Sequence, residues 1–119
     1  MPETILVADD DEDVRATICQ ALAVLGYRSR EAADGRSALQ SIQEERPDVV
    51  ILDYIMPGLD GAEVAAELKI NYPGLPVIFA SAHVDQLRLR LAPGDTPILG
   101  KPFLIGELAQ LIDEALQDD

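Results

Sequence analysis

The sequence predicts a doubly wound α/β fold, because wholly apolar runs alternate with segments of helical periodicity along its 119 residues. The run at 49–52 contains no polar residue, which is typical of a central parallel strand that helices cover on both faces. A chain of this length is expected to form one domain, 1–119, and to remove roughly two-thirds of its unfolded surface from water.

Five strands are predicted at residues 5–8, 27–30, 49–52, 76–80 and 97–99, of which the second is the least apolar. Glycine and proline residues at 26, 47, 73–74 and 93–94 end the segments between them. Five helices are indicated by apolar residues three or four positions apart. These residues are Val14, Ile18, Leu22 and Leu25; Ala38, Leu39 and Ile42; Val64 and Leu68; Leu87 and Leu91; and Leu104, Leu108, Leu111, Ile112 and Ala115.

The segment after the fourth strand permits two interpretations. Leu87, Leu89 and Leu91 alternate as in a strand, whereas Asp85 can cap a short helix that buries Leu87 and Leu91. We favour the helix, which turns Leu89 towards solvent. Asp60 is similarly predicted to cap the third helix.

The composition narrows the class of partner. The formal net charge of −13 weighs against direct nucleic-acid binding, which depends on Lys and Arg at phosphates. A basic protein surface or a divalent cation suits this charge better, although acidity alone also aids solubility. The single Cys19 excludes an intramolecular disulfide and agrees with a reducing cytoplasm. No apolar run is long enough to span a membrane, so no membrane partner is expected.

Four of the predicted strands end in polar side chains. Asp9 and Asp10 follow the first strand, Asp53 the third, Ser81 the fourth and Lys101 the fifth. Parallel strands place their carboxyl ends at one edge of the sheet, where open α/β sheets bind ligands. Each residue alone is more often a helix cap, a turn residue or a solvated side chain than a functional group. The joint pattern is hard to attribute to chance.

Three carboxylates at one edge repel one another at neutral pH, so they need a shared proton or a cation. Mg²⁺ fits, because it prefers oxygen ligands and is held by one or two carboxylates together with phosphate oxygens. Lys101 and the Ser81 hydroxyl would then bind other oxygens of a phosphoryl group. Asp53 would be the nucleophile towards phosphorus.

Short motifs surround these residues at 5–11, 52–53, 56–58, 60–61, 81–82 and 101–103. Together they resemble the receiver domains of two-component response regulators, over nearly the whole chain. The resemblance implies a flavodoxin-like sheet of five parallel strands in the order 2-1-3-4-5, with five helices. It also implies a phosphoacceptor that promotes its own phosphorylation and dephosphorylation without being an enzyme in the usual sense.

The resemblance implies a role for each carboxylate. Asp53 resembles the phosphoacceptor, which takes its phosphoryl group from a sensor histidine kinase or a histidine phosphotransfer protein. Asp10 and Asp53 would bind Mg²⁺ directly, Asp9 would bind it directly or through water, and the backbone carbonyl of Ile55 would be a further ligand.

Ser81 resembles the hydroxyl that moves to meet the phosphoryl group, and Lys101 the lysine that pairs with Asp53 and later with phosphoryl oxygens. The bond before Pro102 is typically cis in this family, which would aim Lys101 inward. The chain departs from the family at Ile98, where Tyr or Phe is common and its ring swings inward on activation. The usual aromatic readout of activation therefore cannot operate here.

The resemblance also indicates the surface of the fourth helix, last strand and last helix as a contact face for a protein partner or a second copy. Leu89 would be exposed on this face. The chain begins at Met1 and has no output domain before its end at Asp119. A stand-alone receiver is therefore expected, with a receiver excised from a longer chain as the alternative.

Two other functions stay open. One is a receiver-like module that binds partners without phosphoryl transfer, although retention of the full set of edge residues argues against it. The other is a phosphatase of the haloacid dehalogenase type, with Asp9 as the nucleophile of an Asp-x-Asp pair. The chain is too short for the usual cap of that class. Which aspartate becomes phosphorylated, Asp53 or Asp9, discriminates between the phosphatase and the receiver.

Overall fold

The computed structural model describes residues 2–91 and 96–117, which form a five-stranded parallel sheet in the order β2-β1-β3-β4-β5. The elements are β1 Thr4–Ala8, α1 Glu12–Val24, β2 Arg28–Ala32, α2 Gly35–Glu44, β3 Val49–Leu52, α3 Gly61–Asn71, β4 Val77–Ser81, α4 Val84–Arg90, β5 Ile98–Gly100 and α5 Ile105–Gln117. The predicted flavodoxin-like fold and its strand order are confirmed. Within these described ranges, no helix has the length and apolarity needed to cross a membrane.

Helices cover both faces of the sheet, which explains why the middle of β1, β3 and β4 is apolar without alternation. On one face, strand residues such as Leu6 and Leu52 pack with α2, α3 and α4. On the other face, their neighbours such as Val7 and Ile51 pack with α1 and α5. All four of these side chains are buried, so neighbouring positions along these strands contribute to opposite cores.

The register of the sheet brings the carboxyl ends of the strands to one edge. Ala8 pairs with Leu52, Leu52 pairs with Phe79, and Ser81 pairs with Gly100. All of these pairings are parallel. The residues that follow the strands therefore emerge side by side, at the edge where ligands bind in such sheets.

Two predictions at helix ends are wrong. Asp85 does not cap α4, because His83 holds the N-cap position without a side-chain hydrogen bond and Asp85 lies in the first turn. Leu104 does not lie on the buried side of α5, because it precedes the helix and is 73% exposed. Its N–H donates instead to the Glu107 carboxylate, 2.8 Å away. Local hydrogen bonds decide these ends, and apolar spacing does not resolve them.

The short fourth helix is confirmed. It buries Leu87 and leaves Leu89 exposed, and Asp60 caps α3 as predicted. Leu91, in contrast, is the C-cap residue that follows the helix and is only partly buried. The second strand, Arg28–Ala32, starts after Tyr27 and continues beyond the predicted end at Arg30, because its pairing with β1 fixes its extent. The predicted break at 93–94 lies outside the described residues.

Candidate functional site

Three aspartates meet at the carboxyl edge of the sheet. Asp9 and Asp10 follow β1, Asp53 follows β3, and one carboxylate oxygen from each lies within 4.8 Å of the other two. Backbone hydrogen bonds extend the sheet by one residue to hold them. The Asp9 N–H donates to the Ala32 carbonyl at 3.1 Å, and the Asp53 N–H donates to the Ala8 carbonyl at 2.9 Å. The fold itself therefore brings these carboxylates together.

Asp9 is buried, with 2% exposure, and hydrogen bonds hold both of its carboxylate oxygens. Oδ1 accepts the Asp11 N–H at 2.9 Å, and Oδ2 accepts the Lys101 ammonium at 2.5 Å. The Asp9 backbone carbonyl accepts a further bond from Arg15 Nη1 at 2.8 Å. A buried carboxylate requires such partners. Asp10, in contrast, is exposed to solvent.

Lys101 follows β5, and its N–H donates to the Ser81 carbonyl at 2.9 Å. The peptide bond between Lys101 and Pro102 is cis. The Lys101 ammonium lies 2.5 Å from Asp9 Oδ2 and 3.8 Å from Asp53 Oδ2. The expected pair with Asp53 is thus within ion-pair distance, but Asp9 is the closer partner.

Ser81 is the last residue of β4 and is fully buried. Its hydroxyl oxygen accepts the N–H of His83, the N-cap residue of α4, at 3.0 Å. A hydroxyl group can accept and donate at once, so this bond leaves the Ser81 proton for another acceptor. The role of Ser81 towards a phosphoryl group stays a prediction.

The β3–α3 loop, residues 53–60, begins with a hydrogen bond to the aspartate itself. The Tyr54 N–H donates to Asp53 Oδ1 at 2.8 Å, and the Gly61 N–H donates to the Tyr54 carbonyl at 2.7 Å. Gly61 approaches so closely that a Cβ atom there would lie 2.2 Å from the Asp53 carbonyl oxygen. Ile55 lies in this loop and is 47% exposed, and the ligand role of its carbonyl stays a prediction.

Burial is the main cause that raises the pKa of Asp53 to about 6. Lys101 is the next strongest influence and lowers this pKa, followed by Asp9, which raises it. The Tyr54 backbone hydrogen bond lowers the pKa, and Asp10 raises it. The pKa of the Asp53 carboxyl therefore lies close to neutral pH. An added cation would favour its ionised form.

The donor set fits a magnesium ion. The cluster offers only carboxylate oxygens, which are the ligand type that Mg²⁺ prefers. Asp10 is exposed, and the Asp53 side chain is 12% exposed, so both can present an oxygen to an ion that keeps several waters. Both Asp9 oxygens already accept hydrogen bonds, which favours contact through water for this residue.

Sequence reasoning missed the importance of two residues here. Gly61 entered only as part of a motif, and nothing in its spacing reveals the close approach to Asp53. Arg90 of α4 donates to the Tyr54 hydroxyl at 3.1 Å and to Asp60 Oδ2 at 3.0 Å. Arg90 and Tyr54 are 36 positions apart, so only the tertiary fold brings them together.

A parallel sheet in this order, with three aspartates, a lysine and a serine hydroxyl at the carboxyl ends of its strands, defines the receiver class of signalling domains. The family model for the response regulator receiver domain matches residues 5–113. The chain is 42% identical over 111 residues to the response regulator MprA of Mycolicibacterium vanbaalenii, which covers 91% of this chain and 48% of that protein. The chain therefore belongs to the response regulator receiver domain family and is a receiver domain of two-component signalling.

Solved structures agree with this assignment. The receiver domain of NtrX from Brucella abortus matches with a TM-score of 0.88 and 32% identity, over 97% of this chain and 99% of that one. The chemotaxis protein CheY4 of Vibrio cholerae matches with a TM-score of 0.86 and 29% identity, over 98% of this chain and 100% of that one. The chain spans about half the length of the curated relatives it matches. Receiver domains of this family bind Mg²⁺ at an acidic pocket and interact with histidine kinases or phosphotransfer proteins.

Proposed function

We propose that Asp53 accepts a phosphoryl group from a phosphohistidine of a sensor histidine kinase or a histidine phosphotransfer protein, in a Mg²⁺-dependent reaction. The observation that carries this proposal is the cluster of three carboxylates with one lysine ammonium in reach of two of them. An Asp53 oxygen attacks phosphorus, and a P–O bond forms as the P–N bond breaks. The imidazole keeps the electron pair of the broken bond and takes up a proton.

Differences among the carboxylates support Asp53 as the nucleophile. Its side chain is 12% exposed, against 3% for Asp9. Among the residues that the structure describes, Asp53 Oδ2 has only the 3.8 Å contact with Lys101, whereas both oxygens of Asp9 accept short hydrogen bonds. An oxygen without a short hydrogen bond is freer to attack, because no such bond must break first. Asp9 as the nucleophile of a phosphatase is therefore the weaker candidate, and membership of the receiver family does not favour it either.

We assign Asp10 and Asp53 as direct ligands of Mg²⁺, Asp9 as a ligand directly or through water, and the Ile55 carbonyl as a further ligand. When bound, Mg²⁺ neutralises charge on the incoming phosphoryl group. Beside that positive charge, Asp53 stays ionised at neutral pH despite its raised pKa, and the ionised form is the nucleophile.

Lys101 and Ser81 are assigned to the phosphoryl oxygens. The Lys101 ammonium is already within ion-pair distance of Asp53, so a small movement away from Asp9 brings it to a phosphoryl oxygen. The Ser81 hydroxyl keeps a proton to donate while its oxygen accepts the His83 N–H. Both groups bind negative charge that is absent before transfer, so they stabilise the phosphorylated form.

The signal is proposed to leave by protein contact, through the face formed by α4, β5 and α5. Leu89 is 89% exposed on this face, where an apolar side chain can be covered by a partner or by a second copy. We further propose that residues 1–119 act as one domain in the cytoplasm, where Cys19 stays reduced.

Intact mass after incubation with acetyl phosphate and Mg²⁺ tests the proposal. The unaltered chain is expected to gain one phosphoryl group, and Asp53→Asn none. Asp9→Asn is expected to keep some uptake, because Asp9 is not the proposed nucleophile and Asp10 and Asp53 remain as the proposed direct ligands of Mg²⁺. Uptake that survives in Asp53→Asn and is lost in Asp9→Asn would instead support the phosphatase. No uptake by the unaltered chain would favour the phosphorylation-independent module.

A further inference from the structure

The helix α4 is tied at both ends to residues beside the phosphoacceptor. It spans seven residues, Val84–Arg90, and a helix this short is not stable without tertiary contacts. At its start, the His83 N–H donates to the Ser81 hydroxyl. At its end, Arg90 donates to the hydroxyl of Tyr54, the residue that follows Asp53. The position of α4 therefore depends on bonds to the acidic edge of the sheet as well as on its buried side chain.

Arg90 contacts both ends of the β3–α3 loop. Its Nη1 lies 3.1 Å from the Tyr54 hydroxyl and 3.0 Å from Oδ2 of Asp60, the N-cap of α3. Its guanidinium carbon also lies 5.8 Å from the centroid of the Tyr54 ring, within cation–π range. The Tyr54 N–H in turn donates to Asp53 Oδ1. Direct contacts thus run from Asp53 through Tyr54 to Arg90, which adjoins the exposed Leu89.

We propose that Arg90 is a positioning residue that fastens the last turn of α4 to the β3–α3 loop, so that the loop and the helix change position together. The same loop contains Ile55, whose carbonyl is assigned to Mg²⁺. A change in coordination at Asp53 or Ile55 therefore alters the acceptors of Arg90 and the orientation of Leu89. This route does not need an aromatic side chain at position 98, where the chain has Ile98.

The ion pair between Arg90 and Asp60 is weak enough to rearrange, so it does not anchor α4 permanently. The Arg90 side chain is 45% exposed and that of Asp60 is 24% exposed, and such pairs contribute little individually. Arg90 is also a cation in the last turn of a helix, where the helix dipole favours positive charge. Removal of its guanidinium is therefore expected to loosen α4 without unfolding the domain.

The coupling between phosphorylation and the position of α4 rests on the proposed phosphorylation of Asp53. The fastening of α4 to the β3–α3 loop by Arg90 does not. The two are tested separately with Arg90→Gln and Arg88→Gln. Arg88 lies in the same turn, is exposed, and makes no hydrogen bond or ion pair with any residue in the described ranges. It therefore controls for the loss of one positive charge from α4. Tyr54→Phe is the second variant, because it removes the hydroxyl acceptor and keeps the ring.

The first measurement is amide hydrogen exchange of α4 without phosphoryl donor. Exchange in Arg90→Gln is expected to be roughly fivefold faster than in the unaltered chain, with Arg88→Gln unchanged and Tyr54→Phe between them. Equal exchange in Arg90→Gln and Arg88→Gln would overturn the fastening. A double-mutant cycle of Arg90→Gln with Tyr54→Phe should be non-additive, because the two side chains share one hydrogen bond.

The second measurement repeats the exchange after acetyl phosphate and Mg²⁺, with phosphoryl uptake checked by intact mass. The unaltered chain and Arg88→Gln are expected to change their α4 exchange on phosphorylation, and Arg90→Gln to take up the phosphoryl group with less than half of that change. An undiminished change in phosphorylated Arg90→Gln would overturn the coupling. If the unaltered chain takes up no phosphoryl group, the proposed function and the coupling both fail, and the first measurement alone decides the fastening.

Discussion

The Lys101 ammonium lies closer to Asp9 than to Asp53, at 2.5 Å against 3.8 Å between Nζ and the respective Oδ2 atoms. Asp9 is the more buried carboxylate and so depends more on a charged partner. The charge of Lys101 lowers the pKa of Asp53 only in part, so this pKa stays raised at about 6. The lysine is thus a shared counter-ion that stabilises Asp9 more strongly than Asp53.

Replacement of the shared lysine should affect both aspartates. Lys101→Gln is expected to raise the pKa of Asp53 above about 6, because the Lys101 charge lowers it. It is also expected to lower the free energy of unfolding by about 2 kcal/mol, because buried Asp9 loses a charged hydrogen-bond donor. Carbon-13 NMR titration of the Asp53 carboxyl and urea unfolding measure the two effects. An unchanged pKa would mean that Asp9 fully screens the lysine from Asp53.

The raised pKa of Asp53 should make stability depend on pH. The folded value of about 6 exceeds the ordinary value of 3.8, so the folded state binds this proton more tightly than the unfolded state. The resulting stabilisation is complete below 3.8 and is lost as pH rises through about 6. In Asp53→Asn the side chain is neutral throughout. Without Mg²⁺, this variant should match the unaltered chain at low pH and exceed its stability by about 2 to 3 kcal/mol above the folded pKa.

Urea unfolding of both chains across this pH range measures the difference in their free energies of unfolding. Carboxyls that both chains share contribute equally to the two values and cancel in the difference. A difference that stays constant with pH would show that Asp53 has no raised pKa.

Protons and Mg²⁺ should compete for the acidic site. Because ligands must be deprotonated, Mg²⁺ affinity is expected to fall about tenfold for each pH unit below the Asp53 pKa of about 6 and to level off above it. Asp10→Asn should weaken binding at every pH, because it removes a proposed direct ligand. Calorimetric titration with MgCl₂ measures both effects. An affinity that does not vary below this pKa would remove Asp53 from the ligand set.

The glycine after the β3–α3 loop should tolerate no side chain. In Gly61→Ala the new Cβ atom would lie 2.2 Å from the Asp53 carbonyl oxygen, so the backbone of Asp53 must shift. We expect a loss of about 1 to 3 kcal/mol in the free energy of unfolding and slower phosphoryl uptake from acetyl phosphate.

Gly106→Ala is the matched control, because a Cβ atom at this helical position meets nothing within 4 Å. It should stabilise the chain by roughly 0.5 to 1 kcal/mol and leave uptake unchanged. Equal effects of the two substitutions would refute the steric argument.

Much of this architecture could be predicted from sequence because strong local patterns encode it. The unbroken apolar run at 49–52 can only be buried on both faces, and that requirement places Asp53 at a strand end. Helix ends were less predictable. Leu104 fits the apolar spacing of α5 but lies before this helix, and its N–H donates to the Glu107 carboxylate. Contacts between distant segments were not predictable at all. The relative strength of the ion pairs that Lys101 forms with Asp9 and with Asp53 depends on distances that only the assembled sheet determines.

The exposed leucine of α4 should matter for association and not for folding. Leu89 is 89% exposed, so Leu89→Glu loses little buried apolar area and should change the free energy of unfolding by less than about 0.5 kcal/mol. If the face of α4, β5 and α5 binds a second copy, a carboxylate at position 89 must be desolvated and association should be lost.

Val24→Glu is the matched control, because Val24 is 79% exposed on α1, which packs on the opposite face of the sheet. Sedimentation velocity with and without acetyl phosphate and Mg²⁺ measures the association of each chain. Loss of a dimer in Leu89→Glu, with its retention in Val24→Glu, would locate the interface on α4. Loss in Val24→Glu alone would move it to α1. A dimer that survives in both variants would exclude both surfaces. If the unaltered chain stays monomeric under both conditions, the α4 face does not bind a second copy. Its proposed partner is then a different protein.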